Sequence, residues 1–224
     1  MKWPFFQHPE PEVARYLAGT PRRLSRNTPF SELSFLVLDA ETTGFNLSTD
    51  RLLSVAAMPV RHGRAEAGGL RSWLFHQPDV AITAATRIHT ILPSDSVGGT
   101  PERQVLQELL PAATGALIVG HHIGFDIGML NAAMRRHFHT PLRNRTLDTA
   151  LLSMRVLDAF RRTGYSNQRP PGLDEVCAHL GLSIWERHTA DGDTFATAQI
   201  FLLLCARLRR KLGRDLVLGD LPFN

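Results

Sequence analysis

Four consecutive apolar residues, Phe35 to Leu38, lead into Asp39, Ala40 and Glu41 and then into Thr42, Thr43 and Gly44. Such an unbroken β-favouring run predicts a strand buried on both faces. Residues two apart in a strand share a face, so Asp39 and Glu41 project together while Ala40 points away. Downstream, residues 51–60 and 69–75 read as two further strands with the turn residues His62, Gly63 and Arg64 between them, which predicts an antiparallel meander. The pattern then changes. Residues 81–91 predict a short helix, Thr100 is placed to cap a helix opening with Pro101 and Glu102, and residues 116–120 form a short apolar strand. Helical spacing follows over residues 124–137, with Ile127, Leu130 and Met134 on one face. Residues 145–147 read as a last strand, continued by a helix from Asp148 or Thr149 to Phe160. A loop over residues 161–172, rich in Arg, Gly, Asn and Pro, precedes a helix over residues 173–180 that stops at Gly181. The final helix runs from Asp191 or Thr194 to Leu212. Together these elements predict an α/β fold: a mixed sheet, antiparallel in its first three strands and then parallel, flanked by helices. No G-x-G-x-x-G follows the first strand, which excludes a dinucleotide-binding arrangement.

With 224 residues the chain is long enough for one domain with an appendage. Residues 1–33 carry Pro4, Pro9, Pro11, Pro21 and Pro29 and read as an arm, with a short helical candidate at residues 11–17. Its Trp3, Phe5 and Phe6 either pack on the body or dock a partner; packing is favoured, because exposed aromatic clusters are unusual on a monomer. Residues 215–224 form a tail. A hydrophobic content of 43% with 21% charged residues excludes disorder as the main theme. The most apolar segment, residues 196–206, is about half of a membrane span, so no membrane partner is expected. A net charge of +4 admits an anionic partner, and nearly all of the positive charge is arginine, since Lys2 and Lys211 are the only lysines. Arg207, Arg209, Arg210 and Lys211 suit the negative end of the last helix, and alternatively a phosphate patch. Cys177 and Cys205 form no C-x-x-C pair and read as buried thiols of a reducing cytoplasm. The N-terminal apolar run is too short for a secretory signal.

Chemistry enters at the strand end. Two adjacent carboxylates repel, and oxygen ligands on a rigid strand suit a cation such as Mg²⁺ or Mn²⁺. Alone, Asp39 and Glu41 read equally well as the end of a strand. Two later stretches extend the pattern, one from Val119 to Asp126 and one from Glu186 to Asp193. Separately, Asp126 is an acid in a helix's first turn, Asp191 and Asp193 are caps, and His188 is a loop histidine. In combination and order, Asp39-x-Glu41, Phe125-Asp126, and His188 followed five residues later by Asp193 resemble the DEDDh family of 3′-to-5′ exonucleases. That family includes the proofreading ε subunit of DNA polymerase III, ribonuclease T and oligoribonuclease. The resemblance spans residues 33–212, with weaker matches at Ile88-His89, Leu147-Asp148-Thr149 and Gly172-Leu173-Asp174.

The resemblance implies a ribonuclease-H-like domain over residues 34–214, with Asp39, Glu41, Asp126 and Asp193 holding two divalent ions, Mg²⁺ or Mn²⁺, about 4 Å apart. One ion, on Asp39, Glu41 and Asp193, would acidify the attacking water; the other, on Asp39 and through water on Asp126, would stabilise the leaving 3′ oxygen. His188 would take the proton from the water. Thr42, Thr43 and Gly44 would cradle the 3′-terminal nucleotide, with Phe45 and His89 as neighbours. His122 stands where family members often have Asn and would either contact substrate phosphate or merely pack, with packing favoured; Thr194 stands where a small Ala is common. Asp191 competes with Asp193 as a ligand, and the spacing from His188 favours Asp193. His121, His137 and His139 have no zinc-like arrangement. The implied activity is release of nucleoside 5′-monophosphates from single-stranded DNA or short oligonucleotides. An RNA-trimming, oligoribonuclease-like enzyme is the first alternative, and a polymerase-associated nucleic-acid-binding subunit is the second.

Overall fold

A computed structural model describes residues 9–161 and 168–223. Trp3, Phe5 and Phe6, and the middle of the loop expected at residues 161–172, lie outside the described residues. The strands are β1 (Ser34–Thr42), β2 (Leu52–Arg61), β3 (Arg64–Ala65), β4 (Arg71–Leu74), β5 (Leu117–Gly120) and β6 (Thr146–Asp148). The principal helices are α1 (Pro11–Gly19), α2 (Thr86–His89), α3 (Pro93–Ser96), α4 (Glu102–Ala113), α5 (Gly124–Phe138), α6 (Thr149–Val156), α7 (Leu173–Leu180) and α8 (Ala190–Leu212).

One mixed sheet carries the order β3-β2-β1-β5-β6, with β4 also on β2. Antiparallel pairing joins β1 to β2 and β2 to β4, whereas β5 lies parallel to β1 and β6 parallel to β5. The expected meander is therefore present, with one addition. Arg61 pairs with Arg64 across His62 (φ 51°) and Gly63 (φ 69°), a two-residue turn with both central residues left-handed, which makes the short β3.

Alternation along β1 divides the core. Phe35 and Val37 point to a cluster with Met58, Val60, Val119, Leu147, Val176, Phe201 and Leu204, beneath α6, α7 and α8. Leu36 and Leu38 point to the opposite cluster with Tyr16, Leu109, Ile118, Leu130 and Met134, beneath α1, α4 and α5. Asp39 and Glu41 continue the first series, so they emerge on the face covered by α8. Ile127 of the expected apolar stripe is only partly buried.

Residues outside the central sheet are joined to it. Tyr16 of α1 is fully buried, and its hydroxyl donates to Asn144 Oδ1 at 2.5 Å and accepts from Arg143 N at 2.6 Å. Residues 26–30 run beside residues 216–219, with Phe30 N to Leu216 O at 2.9 Å and Leu218 N to Thr28 O at 2.9 Å. Leu216, Leu218 and Leu221 are buried.

Three expected helix bounds differ. The helix expected over residues 81–91 shrinks to α2, because Thr83 instead donates its hydroxyl to Thr43 O at 2.8 Å and its N–H to Thr86 Oγ1 at 3.0 Å. Thr100 does not cap α4; its backbone is extended and exchanges bonds with Leu74 O at 2.7 Å and His76 N at 2.9 Å, leaving Pro101 at the cap position. The helix expected to reach Phe160 ends at Val156, where buried Leu157 turns extended before a 3₁₀ turn over Asp158–Phe160. Among the described residues no helix is long and apolar enough to cross a membrane.

Candidate active site

The parallel pairing of β5 with β1 runs only from Phe35–Leu117 to Val37–Val119. Beyond it β1 continues to Thr42 with β2 alone at its side, and its register shifts between Glu41 and Thr42. An opening is left at the carboxyl end of the sheet, where strand-end groups are free to meet a ligand. Three elements deliver carboxylates to it: β1 with Asp39 and Glu41, the first turn of α5 with Asp126, and the first turn of α8 with Asp193.

Carboxylate oxygens of Asp39, Glu41 and Asp193 lie within 4.8 Å of one another. Asp193 is buried, and its Oδ1 has no hydrogen-bond partner among the described residues. Its Oδ2 accepts from Arg187 Nη1. Asp191, the competing ligand, turns instead to Ser72, whose hydroxyl donates to Asp191 Oδ2 at 3.1 Å. Asp126 is buried and lines one cavity with Asp39 and Glu41, but lies outside the group of three.

Every carboxyl of this set is driven toward its protonated form. Asp39 is raised well above the usual carboxylate range by burial first, then by Asp126, Asp193 and Glu41, with Arg187 opposing. Glu41 is pushed up to about 7 by burial and by Asp193. Burial and Glu41 raise Asp126 well above its ordinary value. Asp193 rises through burial, against Arg187. A hard divalent cation fits this arrangement on three counts: all donors are oxygens, their charges repel unless compensated, and one buried oxygen has no partner. The donor set suits Mg²⁺ or Mn²⁺ and contains none of the His or Cys ligands of a structural zinc site.

Beside the carboxylates is a cavity of about 200 Å³ whose lining includes Thr42, Gly44, Phe45, His89, His122 and Phe125. Thr43, the remaining member of the expected cradle, does not line it; its hydroxyl donates to Asp50 Oδ1 at 2.7 Å and shapes the loop behind. A Cβ at Gly44 would stand 2.7 Å from Asp50 Oδ2 and would displace the carboxylate that holds Thr43 and Asn46 N. Phe45 is 83% exposed, with its ring 5.5 Å from that of Phe125. His89 Nδ1 accepts from Ile91 N at 3.0 Å, so the proton is on Nε2, which is buried beside the Thr42 backbone. His122 is exposed, adopts φ 56°, and donates its backbone N–H to Asp148 Oδ1 at 3.0 Å. Its neighbour His121 is a buried packing residue: Nε2 donates to Pro171 O at 3.0 Å, and burial lowers its imidazole to about 4.

His188 stands on the loop that opens α8, at φ 65°, four residues before the end of that turn at Gly192, and is not among the residues that line the cavity or form the group of three carboxylates. The loop is folded tightly against the helix. A Cβ on Gly192 would meet the carbonyl oxygens of Trp185 and Glu186 at 2.2 Å, so only glycine admits this approach. Thr189 locks the turn, donating its hydroxyl to Glu186 O at 2.7 Å and accepting from Gly192 N at 3.1 Å.

Sequence reasoning passed over Arg187 and the part of Phe125 in the cavity. Arg187 carried a signal, since four carboxylates brought together call for a nearby cation and an arginine sits directly before His188.

A family model described as Exonuclease (RNase_T) matches residues 36–201. A DNA polymerase III subunit epsilon-like protein of Rhodobacter capsulatus is 34% identical over 190 residues, which make up 82% of this chain and 25% of that protein. A PolC-type DNA polymerase III of Streptococcus thermophilus is 27% identical over 190 residues, 84% of this chain and 12% of that protein. The chain thus spans a quarter or less of the length of these relatives. Among solved structures, E. coli Exonuclease I in complex with a dT13 oligonucleotide superposes with a TM-score of 0.68 at 20% identity, covering 81% of this chain and 43% of that one. At that identity the likeness is one of fold, the ribonuclease-H-like mixed sheet flanked by helices.

Proposed function

Because this chain belongs to the exonuclease family, we propose that it shortens single-stranded DNA or short oligonucleotides from the 3′ end by metal-dependent hydrolysis, releasing nucleoside 5′-monophosphates. The observation that carries this reading is the convergence of Asp39, Glu41 and Asp193, with the unpartnered Asp193 Oδ1 among them, beside a cavity edged by aromatic rings. Asp39, Glu41 and Asp193 would hold one divalent ion, and Asp39 with Asp126 a second. When bound, such ions supply charge for the attacking water and for the leaving oxygen.

The chain's own groups do the rest. Phe45 offers an exposed ring on which the terminal base stacks, with Phe125 behind it. Thr42 and Gly44 present backbone to the sugar, and His89 and His122 line the same cavity. His188 accepts the proton of the attacking water as the general base. Thr43 acts one step back, by holding the loop through Asp50.

The relatives named for DNA polymerase III favour DNA over RNA as substrate and a polymerase as partner. Two buried, unpaired cysteines fit work in a reducing cytoplasm. The decisive test is purified protein with Mg²⁺ or Mn²⁺ against 3′- and 5′-labelled DNA and matched RNA oligonucleotides from dinucleotides upward. Stepwise loss from the 3′ end of DNA, absent in Asp39→Ala, is the expected result. Undiminished turnover by Asp39→Ala would sink the assignment, and preference for RNA would move it to the oligoribonuclease-like alternative.

A further inference from the structure

The two oxygens of Asp193 have different surroundings. Oδ1 is buried, unpartnered among the described residues and grouped with Asp39 and Glu41. Oδ2 is held by Nη1 of Arg187. The other edge of the same guanidinium faces Asp174, in the first turn of α7, with Nε to Oδ1 at 2.7 Å and Nη2 to Oδ2 at 3.3 Å. Arg187 therefore bridges two helices: a fork on the exposed Asp174 and a single bond to the buried Asp193. A planar guanidinium with donors on two edges can do this, whereas an ammonium cannot hold both geometries at once. The backbone beneath is fixed independently, by the close approach of Trp185 and Glu186 to Gly192 and by the Thr189 cap.

We propose that Arg187, clamped by Asp174, is the positioning residue of the acidic site: it fixes the plane of the Asp193 carboxylate so that Oδ1 is turned toward Asp39 and Glu41. This rests on the reading of that group as a divalent-metal site. A carboxylate gripped at one oxygen loses its freedom to rotate, and the ligand is presented ready-oriented. Partners that orient a ligand in this way typically account for about 10- to 100-fold in metal affinity. Arg187 is a cation close to the site, so electrostatics alone gives the opposite expectation: its removal would tighten metal binding. The geometry favours orientation, because Asp193 is the member of the group supplied by a different element from Asp39 and Glu41, and no other side chain among the described residues bonds to its carboxylate.

Titration of the protein with Mn²⁺, followed by electron paramagnetic resonance without nucleic acid, separates the possibilities. Wild type should bind Mn²⁺ and Asp39→Asn should not; failure of wild type to bind would remove the metal-site reading itself. Given binding, Arg187→Gln should weaken it about 10-fold or more. Arg187→Lys, which keeps the charge and loses the fork, should weaken it nearly as much. Asp174→Asn, which loosens the clamp alone, should weaken it by about 3-fold. Excess Mn²⁺ should restore nuclease turnover in each variant to near wild type, a rescue that a collapsed fold would not show. Unchanged or tighter Mn²⁺ binding in Arg187→Gln, or full recovery by Arg187→Lys, overturns the proposal. If Arg187→Gln does not fold, Arg187→Lys and Asp174→Asn decide the matter, and wild-type affinity in both overturns it.

Discussion

Glu41→Gln should make the protein more stable at pH 8 while depriving it of a ligand. The Glu41 carboxyl is pushed up to about 7, by burial first and then by Asp193, from an ordinary value of 4.5. A raised folded-state value means that the folded protein holds this proton more tightly than the unfolded chain does. The resulting stabilisation is complete below the unfolded value and is lost as the pH rises through about 7. The gap corresponds to about 3 kcal/mol at about 1.4 kcal/mol per unit, which the partial exposure of Glu41 reduces to about 2 kcal/mol. His121 runs the other way. Burial lowers its imidazole to about 4 from 6.5, so its contribution is complete above 6.5 and is lost as the pH falls from there through about 4. In wild type the two trends oppose each other between pH 5 and pH 8, with Asp39, Asp126 and Asp193 adding to the side of Glu41, so a single unfolding profile isolates neither. The difference between wild type and Glu41→Gln removes His121, which is common to the two, and adds in the same direction the relief of Asp39 and Asp126, both raised in part by Glu41. Urea unfolding in EDTA at pH 5 and at pH 8 should show the variant gaining about 2 kcal/mol on wild type over that interval. Added Mn²⁺ at pH 8 should reverse the order, because only wild type is stabilised by the ion. A difference that does not change with pH would refute the reasoning.

Replacing His188 with Ala should lower turnover by about 10² to 10⁴, as expected for a lost general base, with Mn²⁺ affinity within a few-fold of wild type; steady-state kinetics and a Mn²⁺ titration read the two separately. Phe45→Ala should weaken binding of single-stranded DNA by about 1 to 3 kcal/mol in a fluorescence-anisotropy titration with Ca²⁺ replacing the active ion, and should leave thermal stability unchanged because the ring is exposed. Gly192→Ala forces a Cβ against the carbonyls of Trp185 and Glu186 and should displace the Arg187 and His188 loop, so turnover falls well before circular dichroism changes. Phe201→Ala, in the fully buried face of α8 against Phe35, should cost about 3 to 5 kcal/mol of unfolding free energy, and a loss below 1 kcal/mol would contradict the packing described.

Much of the fold was legible because its signals are local. The apolar run of β1, the Gly181 stop of α7 and the long stripe of α8 depend on neighbours in sequence. The carboxylates were legible for another reason: their alternation along β1 and their place in first helical turns are consequences of periodicity. Distant bonds were not legible. Thr83 gives its hydroxyl to Thr43, far away in the chain, and that bond shortens the helix that the pattern favours. Thr43 itself reads as a cradle residue by position, but Asp50 claims its side chain. Arg187 is the clearest omission, because its significance lies in joining Asp174 to Asp193, and neither partner reveals the other in sequence.

The site draws Asp39 and Glu41 from the first strand of the sheet and Asp193 from its last long helix. A ribosome delivers these in that order. While the sheet is being laid down, the growing chain carries two carboxylates and lacks the third, so the acidic group exists only after α8 has emerged and docked on β1 and β2. The same topology makes the molecule divisible: two fragments parted in the loop before residue 185, each inert, should recover Mn²⁺ binding only when they associate.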